Sequence, residues 1–121
     1  MVTGWKLDAG ERAELLARFP ARYAREIADH VTLKANVPAS EPKPAAVKAR
    51  IVGRADDGKG VEAMVVEIDG TTDRPGGGTY HITWSLAEGR KAKESNDVIA
   101  ARGWEHFGHT TDVKLEPASF A

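Results

Sequence analysis

Two stretches decide how this chain is read: DHVTLKAN, Asp29–Asn36, and TYHITWSL, Thr79–Leu86. Each sets His, an apolar residue, Thr and another apolar residue in one frame, in a chain with four histidines. Alternating apolar and polar positions mark strands, where residues two apart share a face about 7 Å apart along the chain. His30 and Thr32 therefore share one face, with Val31 and Leu33 turned to the core. His81 and Thr83 repeat the arrangement, with Ile82 and Trp84 behind them. Side by side, the two strands bring two imidazoles and two hydroxyls to one cleft.

Such a cleft suits a phosphodiester. Imidazole titrates near neutrality, so one His can take a proton while the other gives one. Threonine hydroxyls can donate to phosphate oxygens as charge moves onto them. This chemistry needs no metal and no cofactor. A single His-x-Thr is a weak signal, because a histidine in one strand is more often a satisfied structural residue. His109-Thr110-Thr111 fits the same pattern, but it lacks the apolar alternation and follows Gly108, so it reads as a loop. The paired occurrence in matched strand context carries the functional reading.

Outward from the motifs, the pattern is α+β. Met1–Leu7 reads as a strand with Trp5 and Leu7 on one face. Ala9–Phe19 reads as a helix from the spacing of Leu15, Leu16 and Phe19, with Asp8 as N-cap. Pro20 ends that helix or opens a second short one over PARYAREIA. The first motif lies in a strand over Ala28–Ala35, and NVPASEPKP, 36–44, is a loop. Ala46–Ala55 alternates Val47, Ala49 and Ile51 against Lys48, Arg50 and Arg54. A hairpin turn at Asp57-Gly58 leads to an apolar, central strand over Gly60–Asp69. GTTDRPGGG, 70–78, is a flexible flap before the second motif strand. Glu88–Lys93 is a charged turn. Ser95 caps a helix to about Arg102, closed by Gly103. Thr110–Glu116 is the last strand.

With 121 residues, the chain has room for one domain, 1–121, and one core. Composition is that of an ordinary soluble globular protein, 41% hydrophobic and 29% charged, with no Cys. The absence of Cys removes thiolate nucleophiles, disulfides and thiolate metal sites, and fits a reducing, cytoplasmic setting. No apolar leader or membrane-length run is present, so no membrane partner is expected. The net charge of −1 conceals +4 in residues 1–54 and −5 in 55–121. That balance excludes a bulk nucleic-acid coat, yet permits a grip on a few phosphates.

The two His-apolar-Thr-apolar motifs resemble the two-histidine (2H) phosphoesterase superfamily. The most similar group is the cyclic phosphodiesterase domain of plant-type tRNA ligases. There too the first motif reads HVTL, and a segment like Glu88-Gly89-Arg90-Lys91-Ala92-Lys93-Glu94-Ser95-Asn96 follows the second. The resemblance covers residues 28–120 loosely and the motifs closely. It implies a compact bilobal fold, with antiparallel sheets flanking a central groove and two or three helices outside. It implies hydrolysis of 2′,3′-cyclic phosphates at RNA ends or on nucleotides, with His30 and His81 catalytic and Thr32 and Thr83 on the phosphate. Members like the tRNA ligases leave a 2′-phosphate, and His81 is expected as the base with His30 as the acid. The roles exchange if the other oxygen leaves. With 50 residues between the histidines, the chain is short for the superfamily, and one lobe must be reduced. The alternatives are the same chemistry on an ADP-ribose cyclic phosphate or a 2′-5′ oligoadenylate, or a module that binds an RNA end or nucleotide without turnover.

Further candidates each carry a plainer reading. Lys34 continues the His30 face, as a phosphate ligand or a solvated strand end. Trp5 and Tyr80 are either core residues or platforms for a base. Arg90 and Lys91 meet RNA or lie in a solvated turn. Arg18, Arg22 and Arg25 have helical spacing, a solvent face first and an RNA contact second. His106-x-x-His109 is at most half a metal site, lacking carboxylate or Cys partners, so no metal is expected.

Overall fold

A computed structural model describes all of residues 1–121. The chain forms eight strands and two helices. They are β1 (Val2–Leu7), α1 (Ala9–Arg18), β2 (Arg25–Glu26), β3 (His30–Lys34), β4 (Ala49–Asp56), β5 (Val61–Ile68), β6 (His81–Leu86), α2 (Glu94–Arg102), β7 (Glu105–Val113) and β8 (Leu115–Phe120). The α+β class expected from patterning is present. No helix is long and apolar enough to cross a membrane.

All eight strands join one antiparallel sheet, ordered β7-β4-β5-β6-β3-β1-β8, with β2 also on β6. β7 and β8 lie at opposite ends of that order, yet Lys114 alone separates them. Neighbouring Cα atoms are only about 3.8 Å apart, so the sheet curls until its two ends meet at this corner. The Asp8 N–H donates to the Lys114 carbonyl at 3.0 Å, and the Lys114 N–H donates to Glu11 at 3.0 Å. The strand expected over Thr110–Glu116 is thus two strands, and buried Val113 and Leu115 flank the bend.

Local signals explain most elements. Asp8 accepts from the Glu11 N–H at 3.0 Å and caps α1. Asp57 accepts from the Lys59 and Val61 N–H groups and closes the β4–β5 turn. The Gly103 N–H donates to the Ile99 carbonyl and ends α2. β5 is buried on both faces, as its apolar run foretold. Met64, Val66 and Ile68 enter a core with Trp5, Leu15, Val31, Ile82 and Trp84. Val61, Ala63 and Val65 enter a second with Val98 and Ile99 of α2.

One alternative is decided and two further expectations fail. Of the two alternatives at Pro20 the first holds: α1 ends at Arg18, PARYAREIA forms no second helix, and residues 25–28 run along β6. Buried acceptors claim its backbone: the Arg22 N–H donates to Glu62 Oε1 at 3.0 Å and the Tyr23 N–H to Ser85 Oγ at 3.2 Å. Arg18, Arg22 and Arg25 consequently share no helical face. His109–Thr111 is not a loop but part of β7, an end strand where His106 and His109 are exposed. Ser95 does not cap α2; it is fully buried one residue inside the helix.

The joint between β3 and β6 is narrow. Val31 and Ile82 are their one paired position. Just before it, the Ala28 N–H donates to the Thr83 carbonyl at 3.0 Å. Asp29 and His30 therefore have no partners on β6, which is a bulge two residues deep. Ala28 enters it with φ of 40°, a conformation costly for a side chain with a Cβ. Bulges beside functional sites re-aim side chains, and this one carries the first histidine. On its other side β3 lies so close to β1 that a Cβ at Gly4 would sit 2.1 Å from the Val31 carbonyl oxygen.

Candidate active site

His30, Thr32, His81 and Thr83 all line one cavity of about 570 Å³ at the β3–β6 joint. The period-two alternation brings this about. Val31, Ile82 and Trp84 turn into the core, so the motif side chains emerge on the opposite face. On β5, Ala63 and Val65 pair with Thr83 and His81 and share their face, which α2 covers with Val98 and Ile99. The part that α2 leaves open is the cavity. Its rim adds Lys34 from the end of β3, Arg74 to Gly77 from the β5–β6 loop, and Lys93 and Asn96 from the start of α2. The lining holds three cationic side chains and no Asp or Glu, in a chain whose net charge is −1.

The two histidines differ in their surroundings. His81 is buried, at 8% exposure, and its Nδ1 lies 2.8 Å from the Thr79 carbonyl. A carbonyl only accepts, so Nδ1 carries the proton and Nε2 keeps the lone pair. Burial above all lowers its pKa below the ordinary 6.5, and the charges of Arg74 and His30 lower it further. His81 at neutral pH is thus a neutral imidazole with a free basic nitrogen.

His30 keeps 28% of its side chain exposed. Its Nδ1 faces the Asp29 carboxylate at 3.0 Å, and its Nε2 faces the Thr32 hydroxyl at 3.1 Å. The carboxylate only accepts, so Nδ1 is again the protonated nitrogen. Burial lowers the His30 pKa, and Asp29 opposes that shift by stabilising the imidazolium. Asp29 itself also binds Lys6, whose ammonium lies 4.2 Å from the centre of the Phe120 ring. Phe120 in turn meets the His30 ring edge-on at 4.7 Å.

The threonines differ too. Thr32 bonds only within its own motif. Thr83 donates to the Ala92 carbonyl at 3.2 Å and lies 2.9 Å from the Ser95 hydroxyl. It has one proton, so Ser95 must donate to Thr83 in this arrangement. The second threonine anchors the start of α2 beside the cavity as well as lining it.

Lys34 reaches the cavity but pairs with Glu41 at 3.0 Å. Trp5 and Tyr80 are core residues, 2% and 5% exposed, packed edge-on with centroids 6.0 Å apart. Trp5 also donates to the Ala45 carbonyl. Neither ring lines the cavity, because both lie on the opposite face from the histidines, in the core with Ile82. Arg90 braces the β4–β5 turn by binding Asp57, the Lys59 carbonyl and Glu94, and Lys91 is exposed outside the cavity. Patterning missed Arg74, Lys93 and Asn96. The glycine-rich stretch expected as a flexible flap closes as a small hairpin, with bridges Ile68–Thr71 and Asp73–Thr79. A lone basic residue inside it was the available signal.

No family model, curated protein or solved structure matches the chain.

Proposed function

We propose that this protein is a 2′,3′-cyclic phosphodiesterase of the two-histidine type, opening cyclic phosphates on nucleotides or at RNA ends to leave a 2′-phosphate. One observation carries the reading. Four side chains from two distant His-x-Thr motifs line a single cavity that holds cations and no carboxylate. An anionic, hydrogen-bond-accepting group is the ligand such a lining favours.

The surroundings of the imidazoles favour one division of labour. His81, with Nε2 unprotonated, takes a proton from water as it attacks phosphorus. The bond from phosphorus to the ribose 3′ oxygen breaks. His30, whose charged form Asp29 stabilises, gives its Nε2 proton to that oxygen. The Thr32 hydroxyl, beside His30 Nε2, is placed to donate to a non-bridging oxygen as charge builds. Water supplies both the hydroxyl on phosphorus and the proton that resets the pair.

The test is incubation of the purified chain with a short RNA ending in a 2′,3′-cyclic phosphate, with chelator present. The 2′- and 3′-monophosphate products are then separated. Turnover to the 2′-phosphate, lost in His30→Ala and His81→Ala, is the expected result. A folded wild type with no turnover on this RNA or on a cyclic mononucleotide would sink the proposal.

A further inference from the structure

Arg74 stands apart from most other arginines of this chain. Arg22 pairs with Asp56 and Glu62, Arg54 with Glu62, Arg50 with Glu67, and Arg90 with Asp57 and Glu94. Arg12 and Arg25 end on backbone carbonyls. Arg74 is half-buried at the cavity rim and forms no ion pair. Its guanidinium is nevertheless held. Nε donates to the Gly77 carbonyl at 3.1 Å, and one Nη donates to Asn96 Oδ1 at 2.9 Å. The Asn96 amide N–H donates in turn to the Lys93 carbonyl at 3.1 Å, which fixes the orientation of that amide.

The loop is shaped to seat this side chain. The Arg74 N–H donates to the Gly78 carbonyl and the Gly77 N–H to the Arg74 carbonyl, both at 3.0 Å. Gly78 has φ of 88°, and a Cβ there would come within 2.8 Å of the guanidinium. A planar cation is thus fixed at the mouth of a carboxylate-free cavity, with the other Nη group unpaired. A fork of N–H donors in that state suits a phosphate, which can accept two of them at once.

We propose that Arg74 binds the phosphate group of the ligand, with Asn96 as the residue that positions it. This rests on the phosphodiesterase reading for the cyclic substrate, but binding of a phosphomonoester tests it without turnover. Apolar Val2, Leu33 and Val37, on the β3 side of the same cavity, leave room for a nucleoside and offer no base-specific donor from their side chains. The ligand class is therefore a nucleotide held by its phosphate.

The experiment is calorimetric titration of the full chain with adenosine 2′-monophosphate, and with adenosine as the uncharged control. Wild type, Arg74→Gln, Arg74→Lys and Asn96→Ala are compared at matched melting temperature. Arg74→Gln is expected to weaken the monophosphate at least tenfold, and Arg74→Lys to fall between it and wild type. Asn96→Ala is expected to lose less than Arg74→Gln, and adenosine binding to be the same in all four. If Arg74→Gln binds the monophosphate within twofold of wild type, or wild type does not prefer it to adenosine, the proposal is overturned. The two readings fail separately. Monophosphate binding that Arg74→Gln loses, without turnover of cyclic phosphate, removes the enzyme and keeps the phosphate ligand. Turnover and binding that Arg74→Gln retains do the reverse.

Discussion

The two motif histidines share a cavity but not an environment. His81 is paired with Val65 of β5 and buried, with its Nδ1 on a neutral backbone carbonyl. His30 sits on a bulge, partly exposed, with its Nδ1 on a carboxylate. A carbonyl fixes a tautomer without favouring a charge, and a carboxylate favours the charged ring. One motif written twice can thus yield a base and an acid, because the backbone around it differs.

The strongest way to break this pairing is to remove either ring. His81→Ala and His30→Ala should each lower kcat by about 10²–10⁴-fold. The double variant should be little worse than either single one, because the two act as a unit. Independent, additive losses measured on a cyclic mononucleotide would show that they do not share one proton relay.

A smaller change sharpens the contrast. Both rings ionise below 6.5, so activity that needs neutral His81 and charged His30 should peak on the acid side of that value. The acid limb of the rate profile reports His81 and the alkaline limb His30. Asp29→Asn removes the carboxylate that holds the His30 pKa up. It should cut kcat on the order of tenfold, the worth of a hydrogen bond to a charged group, and move the alkaline limb to lower pH. The acid limb should stay in place. Movement of the acid limb instead would exchange the two roles. The same lowered values set a stability trend. As pH falls below 6.5 the unfolded chain takes up these protons first, so the fold loses stability until the folded values are passed.

The threonines give the next contrast. Thr83→Ala leaves the fully buried Ser95 hydroxyl without its acceptor, a loss of about 1–3 kcal/mol of stability. Thr32→Ala leaves no buried group behind and should cost the fold less than half of that. Equal melting temperatures for the two variants would remove the anchoring role assigned to Thr83.

What the sequence disclosed follows from the range of each signal. Alternation placed both motif strands, and short-range chemistry placed the Asp8 cap, the Asp57-Gly58 turn and the Gly103 stop. The misses all depend on partners far along the chain. Local signals leave residues 20–28 open between a helix end and a second helix, and Glu62 and Ser85, 40 and 62 positions away, decide it by taking the Arg22 and Tyr23 N–H groups. The bulge at Asp29–His30 exists only in relation to β6. Arg74 enters the site through Asn96, 22 residues on, and no spacing rule links them. Trp5 and Tyr80 could not be sorted into core or platform by pattern, since an aromatic ring serves both; their mutual packing decided it.

The third His-Thr sequence supplies the mildest test. His109 and Thr110 lie in a strand, as the two motif pairs do, so strand context alone cannot separate them. What separates them is position. β7 is at the end of the sheet order, His109 is exposed, and neither residue lines the cavity. Nearby, His106 stacks on Trp104 with centroids 3.9 Å apart, a surface contact outside the cavity. An exposed side chain without a buried partner changes stability by only about 0.5 kcal/mol when removed. His109→Ala should therefore leave the melting temperature, kcat and both limbs of the pH profile unchanged. A loss of activity in that variant would mean that the His-Thr pair matters wherever it occurs. The convergence of β3 and β6 on one cavity would then no longer explain the site.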